Sequence, residues 1–223
     1  MKILIIGANG RMGKKVASLC KKQNIEYVGV DPNSQNCKNQ FDEDCQKCDI
    51  AIDFSCADAL SKNLEFCVKH KINIVVATTG HNQENMQLIQ NAKKHIAIFV
   101  ASNLSIGFYK FTRAIENFDN PTYDVAIVEQ HHKHKKDNPS GSARSLQKLL
   151  EQMHKNIQVC GIRGGEEVGT HTVIFFAEYE KITITHQVYS RDVFAQGAID
   201  VARFVSTKHK GVFSMKDYFE NEK

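Results

Sequence analysis

The sequence predicts an α/β protein of two domains, and three observations lead to this prediction. Short apolar runs alternate with amphipathic stretches through roughly the first hundred residues, which is typical of βαβ units on a parallel sheet. A glycine-rich turn, Gly7–Gly13, follows the first apolar run. After Asn103 the chain becomes rich in β-branched residues with turn residues between them. This change predicts a second domain with helices and a mixed, mostly antiparallel sheet.

Five apolar runs are the predicted strands of the first domain: Ile3–Ile6, Tyr27–Val30, Ile50–Phe54, Ile74–Ala77 and Ile96–Ala101. Between them, apolar residues recur at spacings of three and four, which predicts helices with one face toward the sheet. These faces carry Met12, Val16, Leu19 and Cys20, and then Leu60, Leu64, Cys67 and Val68. The polar segment Pro32–Lys47 shows neither period, so we expect a connection there.

The second domain begins with a predicted helix whose apolar residues are Phe108, Phe111, Ile115 and Phe118. A strand is predicted at Tyr123–Glu129, and the helix after Ser142 carries a stripe of Leu146, Leu149, Leu150 and Met153. Two further strands, Val173–Ala177 and Ile182–Thr185, flank the turn Glu178–Lys181. A final helix over Asp192–Thr207 returns to the first domain. The predicted domains are residues 1–103 plus 191–223, and residues 104–190.

Composition narrows the classes of function. The 223 residues are 42% hydrophobic, yet no apolar run approaches the roughly 20 residues of a membrane helix, and no signal sequence opens the chain. We therefore expect a cytoplasmic protein without membrane contact, with its seven cysteines reduced. Cys45 and Cys48 have CxxC spacing but no second pair to complete a zinc site. The net charge of +4 is not gathered in a basic stripe, so nucleic-acid binding is not expected.

The glycine turn predicts a dinucleotide site. Gly7, Gly10 and Gly13 follow a strand and open a helix, where glycines let a backbone approach a pyrophosphate. Asp31 ends the second strand, 18 residues after Gly13, at about the position of the acid that accepts ribose hydroxyls. This context favours a Rossmann-like dinucleotide-binding domain over a plain βαβ turn. Asp31 repels a 2′-phosphate, which favours NADH, although Arg11 and the Lys14-Lys15 pair would suit NADPH.

The segment Glu129–Ser142 concentrates histidine and lysine before a helix start. His131, His132 and His134 can exchange protons near neutral pH, and the lysines supply positive charge. The turn Ser140-Gly141-Ser142 offers backbone N–H groups to an anion. The segment therefore suits binding and protonation of a small carboxylate. A solvated surface loop and a metal site on the three histidines are the alternatives.

Short motifs along nearly the whole chain match one known family. They are the glycine turn with Arg11-Met12, Asp53-Phe54-Ser55, Thr78-Thr79-Gly80, Ala101–Gly107, the His/Lys loop with Pro139–Ser142, Arg163-Gly164-Gly165, His171-Thr172, and Ser190-Arg191 with Phe194-Ala195 and Gly197-Ala198. By these motifs the chain resembles the dihydrodipicolinate reductase (4-hydroxy-tetrahydrodipicolinate reductase) family. The loop motif is the most specific of them.

The resemblance implies NAD(P)H-dependent reduction of 4-hydroxy-tetrahydrodipicolinate or dihydrodipicolinate to tetrahydrodipicolinate in lysine and diaminopimelate biosynthesis. It implies that His131 and Lys135 supply protons and that His132, Gly141 and Ser142 hold the substrate, a small dicarboxylate. Arg163 is implied as an organiser of substrate or loop. The implied cofactor contacts are Gly7, Ala8, Asn9, Gly10, Arg11, Met12, Asp31, Ala77, Thr78, Thr79, Ala101, Ser102, Asn103 and Leu104. No metal is implied.

The chain departs from the family pattern at three places. Ala77 stands where the family usually has glycine, Ser142 stands where threonine is common, and the stretch after Asp31 is short. The family commonly forms tetramers through the sheet of the substrate domain, and the run Val173–Ala177 is a candidate for such contact, with a dimer as the alternative. A reductase of another small carboxylate and a dinucleotide-sensing regulator are the competing functions, since fold alone does not fix the substrate.

Overall fold

The computed structural model describes residues 1–33 and 37–220, which fold into two compact units. One unit comprises Met1–Leu104 and Asp192–Lys223, and the other comprises Ser105–Arg191. The expected boundaries lie one residue earlier in the chain. In chain order the elements are β1 (Lys2–Ile6), α1 (Arg11–Lys22), β2 (Glu26–Val30), α2 (Glu43–Gln46), β3 (Ile50–Asp53), α3 (Leu60–His70), β4 (Asn73–Val76), α4 (Gln83–Ala92), β5 (Ala97–Val100), α5 (Ile106–Phe118), β6 (Asp124–His131), α6 (Gly141–Leu150), β7 (Ile157–Arg163), β8 (Gly169–Phe176), β9 (Lys181–Val188), α7 (Asp192–Ser206), β10 (Gly211–Phe213) and α8 (Met215–Glu220).

The first unit is built on a parallel sheet of six strands in the order β10-β5-β4-β3-β1-β2. Its inner strands are apolar except at their ends, where Asp53 and Asn73 stand, because helices pack on both faces of the sheet. Leu64 of α3 and Ile89 of α4 belong to the core on one face. On α7, Gly197 permits a close approach, since a Cβ there would lie 1.8 Å from the Leu104 carbonyl oxygen.

The second unit is a sheet of four strands in the order β7-β6-β8-β9. Strands β6 and β7 are parallel, whereas β8 runs antiparallel to both β6 and β9. Alternate residues such as Val125 and Ile127 on β6 and Val173 and Phe175 on β8 face the core. Helices α5 and α6 contribute the rest of that core. The predicted α/β class, with a parallel sheet and a mostly antiparallel one, is therefore confirmed.

The segment Pro32–Lys47 is more ordered than a plain connection. Asp42 caps the short helix α2 by accepting hydrogen bonds from the backbone N–H groups of Asp44 and Cys45. The Phe41 ring stacks on Phe66 of α3 with centroids 4.1 Å apart. A helix of a single turn is too short for apolar residues to recur at helical spacing, so the sequence did not predict it. Residues 34–36 of the predicted connection lie outside the described residues.

Three other predictions need correction. The tail after the last long helix forms β10 and α8, and β10 pairs with β5. Phe118 and Met153, predicted for apolar stripes, are 49% and 45% exposed, and Met153 lies beyond the end of α6. Within Val173–Ala177, Val173 and Phe175 lie in the core, so the candidate for subunit contact narrows to alternate residues such as the exposed Phe176. In the part of the chain that the structure describes, no helix has the length and apolar character needed to cross a membrane.

Candidate active site

The turn after β1 brings two backbone segments unusually close. Gly7 has φ +78°, and a Cβ there would lie 2.9 Å from backbone atoms of Phe54. A Cβ on Gly13 would lie 2.2 Å from the Gly7 carbonyl oxygen. Glycine is therefore required at both positions. Helix α1 begins at Arg11 after Gly10, which supplies no side-chain cap, so the first backbone N–H groups remain for an anionic ligand.

Asp31 follows β2, and backbone groups fix its carboxylate. Oδ2 accepts a hydrogen bond from the Asn9 N–H at 3.1 Å, and Oδ1 accepts one from the Asn33 N–H at 3.0 Å. Both oxygens keep further acceptor capacity. A cavity of about 330 Å³ borders this carboxylate, and its lining includes Gly7, Gly10, Asp31, Phe41, Phe54 and Lys62. The glycine turn and the Asp31 carboxylate fit the adenosine and pyrophosphate part of a dinucleotide.

Asp53 organises the neighbouring loop from a fully buried position. Its carboxylate accepts hydrogen bonds from the Ser55 N–H and from Nδ2 of Asn63, both at 2.9 Å, and from the Ser55 hydroxyl. Burial raises the pKa of Asp53, while these donors oppose that shift. The loop so fixed carries Phe54, whose backbone lies against Gly7. Asn63 was missed by sequence reasoning, although a polar residue on the buried face of α3 was a usable signal.

The other predicted cofactor residues follow β4 and β5. The Ala77 N–H donates to the Asp53 carbonyl oxygen at 3.0 Å, so alanine at this position keeps its backbone hydrogen bond. The Thr78 hydroxyl lies 2.9 Å from Nε2 of His81, and Thr79 is exposed. Ala101 to Leu104 follow β5. Because the carboxyl ends of parallel strands share one edge of a sheet, these residues lie on the same edge as the glycine turn.

In the second unit, His131 ends β6 and hydrogen-bonds to a buried carboxylate. Its Nδ1 contacts Oε2 of Glu129, which is fully buried. Burial lowers the pKa of His131, whereas the Glu129 carboxylate raises it, and the net shift is downward. Burial alone would raise the pKa of Glu129, but hydrogen bonds from Arg163, His131 and Ser140 hold it below its ordinary value. Glu129 is thus ionised at neutral pH.

The loop after His131 carries the second predicted proton donor. Nζ of Lys135 lies 2.8 Å from Oδ1 of Asp137, and the Lys135 N–H donates to the His132 carbonyl oxygen at 3.1 Å. The peptide bond between Asn138 and Pro139 is cis. The loop leads into α6, where the Ser140 hydroxyl caps the helix by accepting from the Ala143 N–H at 3.1 Å. Lys135 is therefore held within the loop by a partly exposed ion pair.

The start of α6 is open and rich in donors. Gly141 is exposed, and a Cβ built there would meet nothing within 4 Å. Ser142 is half-buried in the first turn. The Gly141 backbone is among the groups that lower the pKa of Asp137, as expected for an anion near the start of a helix. His132, by contrast, is half-buried beside exposed His134, with ring centroids 6.3 Å apart.

Arg163 connects the end of β6, at Glu129, with the loop that follows it, at Asp137. Its Nη2 donates to Oε1 of Glu129 at 2.7 Å and to the Asp137 carbonyl oxygen at 2.5 Å. Gly161, on the same strand, leaves the necessary space, because a Cβ there would lie 1.8 Å from Oδ1 of Asn138 and 2.7 Å from Oε1 of Glu129. The role of loop organiser implied for Arg163 agrees with these contacts.

Two further histidines lie on the neighbouring strands. Nε2 of His171 on β8 lies 3.2 Å from the Ser140 hydroxyl, and its ring packs edge-on against His131 with centroids 5.2 Å apart. Burial, with a smaller effect from nearby His131, lowers the pKa of His171 to about 4, so it is neutral at pH 7. His186 on β9 pairs with His171 across the sheet. Both act as strand histidines that support the site.

The ligand atoms of Glu129, His131 and His171 lie within 4.8 Å of one another, a grouping that could hold a metal ion. It differs from the alternative of His131, His132 and His134. Because Arg163 already balances the charge of Glu129, a metal ion would compete with the guanidinium for the carboxylate.

Comparisons with known proteins agree over the whole chain. Residues 1–104 match the family model "Dihydrodipicolinate reductase, N-terminus", and residues 105–219 match "Dihydrodipicolinate reductase, C-terminus". The 4-hydroxy-tetrahydrodipicolinate reductase of Alkaliphilus oremlandii is 34% identical over 240 residues, covering 97% of this chain and 98% of the relative. That of Wigglesworthia glossinidia brevipalpis is 35% identical over 247 residues, covering 96% and 91%.

Solved structures show the same fold. A dipicolinate-bound dihydrodipicolinate reductase from Paenisporosarcina sp. TG-14 has a TM-score of 0.75 and 20% identity, covering 96% of this chain and 97% of its own. A probable dehydrogenase from Thermotoga maritima has a TM-score of 0.65 and 13% identity, covering 98% and 92%. The N-terminal family model indicates a nicotinamide dinucleotide cofactor. The chain belongs to the dihydrodipicolinate reductase family and is an oxidoreductase.

Proposed function

We propose that the protein reduces 4-hydroxy-tetrahydrodipicolinate, or dihydrodipicolinate, to tetrahydrodipicolinate in lysine and diaminopimelate biosynthesis. Family membership supports the reaction, and the hydrogen bond between Glu129 and His131, beside the loop of Lys135, carries the assignment of the site. We place the reaction in the cytoplasm, where the free cysteines of this chain stay reduced.

His131 and Lys135 are the proposed proton donors. The cofactor supplies a hydride when it is bound, and reduction of the ring leaves negative charge that must be protonated. His131 donates through Nε2, because Nδ1 is directed to Glu129. Lys135 is a cation in the same loop and stabilises the charge as it develops. General acid catalysis of this kind contributes roughly 10²–10⁴-fold to the rate.

The start of α6 is the proposed binding place for one substrate carboxylate. Gly141 and Ser142 supply backbone N–H groups at the positive end of a helix dipole, and the Ser142 hydroxyl adds a donor. Threonine, common at this position in the family, has the same hydroxyl. His132, half-buried at the start of the loop, is the proposed contact of the second carboxylate.

The cofactor residues on the first unit fit a nicotinamide dinucleotide, and we favour NADH. Gly7, Ala8, Asn9, Gly10, Arg11 and Met12 would hold the pyrophosphate, and Ala77, Thr78, Thr79, Ala101, Ser102, Asn103 and Leu104 lie along the same sheet edge. Asp31 has two oxygens directed by backbone donors, which suits the two ribose hydroxyls and repels a 2′-phosphate. Pro32 follows it in place of a basic residue.

A homo-oligomer, with a tetramer favoured over a dimer, is proposed through the face of the four-stranded sheet that lies opposite α5 and α6. Ile162 on β7 and Phe176 on β8 are 46% and 42% exposed there. Exposed apolar side chains on a sheet face that no helix covers suit a contact between subunits. Light scattering of the wild-type chain and of Phe176→Asp tests the proposal, since the charge should dissociate the oligomer.

The activity is tested by following nicotinamide absorbance while a synthase forms the substrate from pyruvate and aspartate semialdehyde. We expect substrate-dependent oxidation that pyridine-2,6-dicarboxylate blocks. His131→Ala and Lys135→Ala should each lower turnover by roughly 10²–10⁴-fold and leave dinucleotide affinity nearly unchanged. Lys148→Ala, which removes an exposed charge from α6, is the matched control. Dinucleotide binding without oxidation would favour a reductase of another small carboxylate or a sensor.

A further inference from the structure

Glu129 holds three segments of the second unit together. Its Oε2 contacts Nδ1 of His131 at the end of β6, and its Oε1 accepts from the Ser140 N–H at 3.0 Å, just before α6. The same Oε1 accepts from Arg163 at the end of β7, at 2.7 Å. One carboxylate thus connects the proposed proton donor with the helix start that is proposed to hold the substrate.

A fully buried carboxylate is unfavourable by several kcal/mol unless charges and donors compensate it. Here the Arg163 guanidinium supplies the opposite charge, and the Ser140 N–H and His131 supply further hydrogen bonds. Glu129 therefore remains an anion, and an ionised carboxylate can only accept hydrogen bonds. It follows that Nδ1 of His131 carries its hydrogen whether the ring is neutral or protonated, and that Nε2 is the atom that exchanges a proton.

The surroundings of Nε2 agree with this division of roles. Gly169 lies beside it, and a Cβ there would lie 3.1 Å from Nε2. Glycine at this position therefore keeps a side chain from pressing on that nitrogen. A histidine with one nitrogen fixed by a carboxylate, so that proton exchange is left to the other, is the arrangement that general acids and bases use.

We propose that Glu129 is the positioning residue of this active site. It fixes the tautomer and orientation of His131, and it also holds Ser140, the N-cap residue of α6, by a hydrogen bond. This inference rests on the proposed function, in which His131 donates a proton. Arg163 balances the charge of Glu129, and Gly161 provides the space for the side chains of Glu129 and Asn138. Glu129 touches neither substrate nor cofactor in this role and acts through His131.

Glu129 is also the group that favours the protonated form of His131. The other charged groups around the ring are Lys135 and Arg163, and both lower the pKa of His131. The neighbouring His171 is neutral at pH 7. Without the Glu129 charge, burial and the two cations all disfavour the protonated imidazole, and nothing named here opposes them. The pKa of His131 should therefore fall further.

Glu129→Gln tests the inference, because glutamine has the same shape but can donate a hydrogen bond to Nδ1. In the ligand-free wild-type protein, imidazole ¹⁵N shifts assigned with His131→Ala should show a hydrogen on Nδ1. In Glu129→Gln the neutral ring should carry its hydrogen on Nε2. The value of kcat/KM should fall roughly 10²–10⁴-fold, and the basic limb of its pH profile should move to lower pH.

Controls separate this role from a merely structural one. Glu166→Gln, an exposed change of the same kind, should leave both the tautomer and the pH profile unchanged. Glu129→Asp retains the charge and should retain the Nδ1 hydrogen while losing part of the rate. If Glu129→Gln does not fold, the wild-type tautomer still decides, since a hydrogen on Nε2 alone would overturn the inference.

The two proposals fail in different ways. Full activity of His131→Ala would refute the assignment of His131 as proton donor, yet the tautomer measurement in Glu129→Gln would still report whether Glu129 positions the ring. An unchanged tautomer and an unchanged pH profile in Glu129→Gln, together with a large effect of His131→Ala, would refute the role of Glu129 alone.

Discussion

Asp137 and Lys135 form an ion pair with 2.8 Å between Oδ1 and Nζ, and the Gly141 backbone is among the groups that lower the pKa of the same carboxylate. Burial would raise the pKa of Asp137, but the hydrogen bond from Lys135 and its charge lower it, so the group is an anion at neutral pH. Lys135 is a proposed proton donor, and Gly141 is a proposed substrate contact. We therefore expect the side chain of Asp137 to compete with a substrate carboxylate for these groups.

Asp137→Asn should strengthen substrate binding. The amide keeps the size of the side chain but removes the charge that holds Lys135, and a partly exposed ion pair of this kind contributes up to about 1 kcal/mol. We expect the KM of the substrate and the Kd of pyridine-2,6-dicarboxylate to fall by up to roughly fivefold. Titration calorimetry with the inhibitor measures the change. Asp124→Asn, an exposed position at the start of β6, is the control, and weaker binding in Asp137→Asn would contradict the prediction.

Asp31→Asn should weaken the proposed preference for NADH. Hydrogen bonds from ribose hydroxyls to a carboxylate are stronger than those to an amide, by about 1–2 kcal/mol. The KM for NADH should therefore rise roughly tenfold, and the ratio of kcat/KM values should shift toward NADPH because a repelling charge is gone. Steady-state rates with both cofactors test this. Glu26→Gln, at the exposed start of the same strand, should change neither value; an unaltered ratio in Asp31→Asn would count against the role of Asp31.

His171 makes the stability of the protein depend on pH. Its pKa is lowered to about 4 in the folded state from an ordinary 6.5, because burial excludes water from the imidazolium. Between these values the unfolded chain binds a proton that the folded chain does not. The contribution of neutral His171 to stability is therefore complete above pH 6.5 and is lost as the pH falls toward 4. A shift of this size corresponds to roughly 3 kcal/mol.

His171→Gln should therefore flatten the acid side of the stability profile. Between pH 7 and pH 4.5 the free energy of unfolding should fall by about 2 kcal/mol less in this variant than in the wild type. Urea denaturation followed by circular dichroism at the two pH values gives the comparison. His209→Gln, an exposed change of the same kind, should follow the wild type. Equal slopes for His171→Gln and the wild type would show that burial of His171 does not cause the pH dependence.

Gly161→Ala should disturb the site without touching a proposed catalytic group. The new Cβ would overlap the Asn138 side chain at 1.8 Å and approach Oε1 of Glu129 to 2.7 Å. Asn138 can move, but Glu129 is fixed by its partners, so overpacking should destabilise the unit by about 1–3 kcal/mol and lower activity. Gly164→Ala, where a Cβ meets nothing within 4 Å, is the matched control. Thermal unfolding and turnover of both variants check the prediction, which fails if the two behave alike.

Local patterns were enough to predict most of the fold. The apolar runs of the first unit and the alternation along β6 and β8 follow from periodicity, which depends only on neighbouring residues. The glycine turn and Asp31 were predicted from their spacing, and the structure places them around one cavity. Periodicity did not reveal α2, β10 or α8, because elements of one turn or three residues are too short to establish a period.

The sequence by itself determined the fold class, the family and the residue types that bring protons and positive charge to the loop. Only the tertiary structure decided how they act on one another. Glu129 and Arg163 are 34 residues apart, and Asp53 and Asn63 lie on different elements. Whether a carboxylate is buried, and which donors reach it, depends on strands that pair across long stretches of chain. No local pattern records such contacts, so the Glu129–His131 hydrogen bond and the Asp137–Lys135 ion pair emerged only once the sheet and the loop had come together.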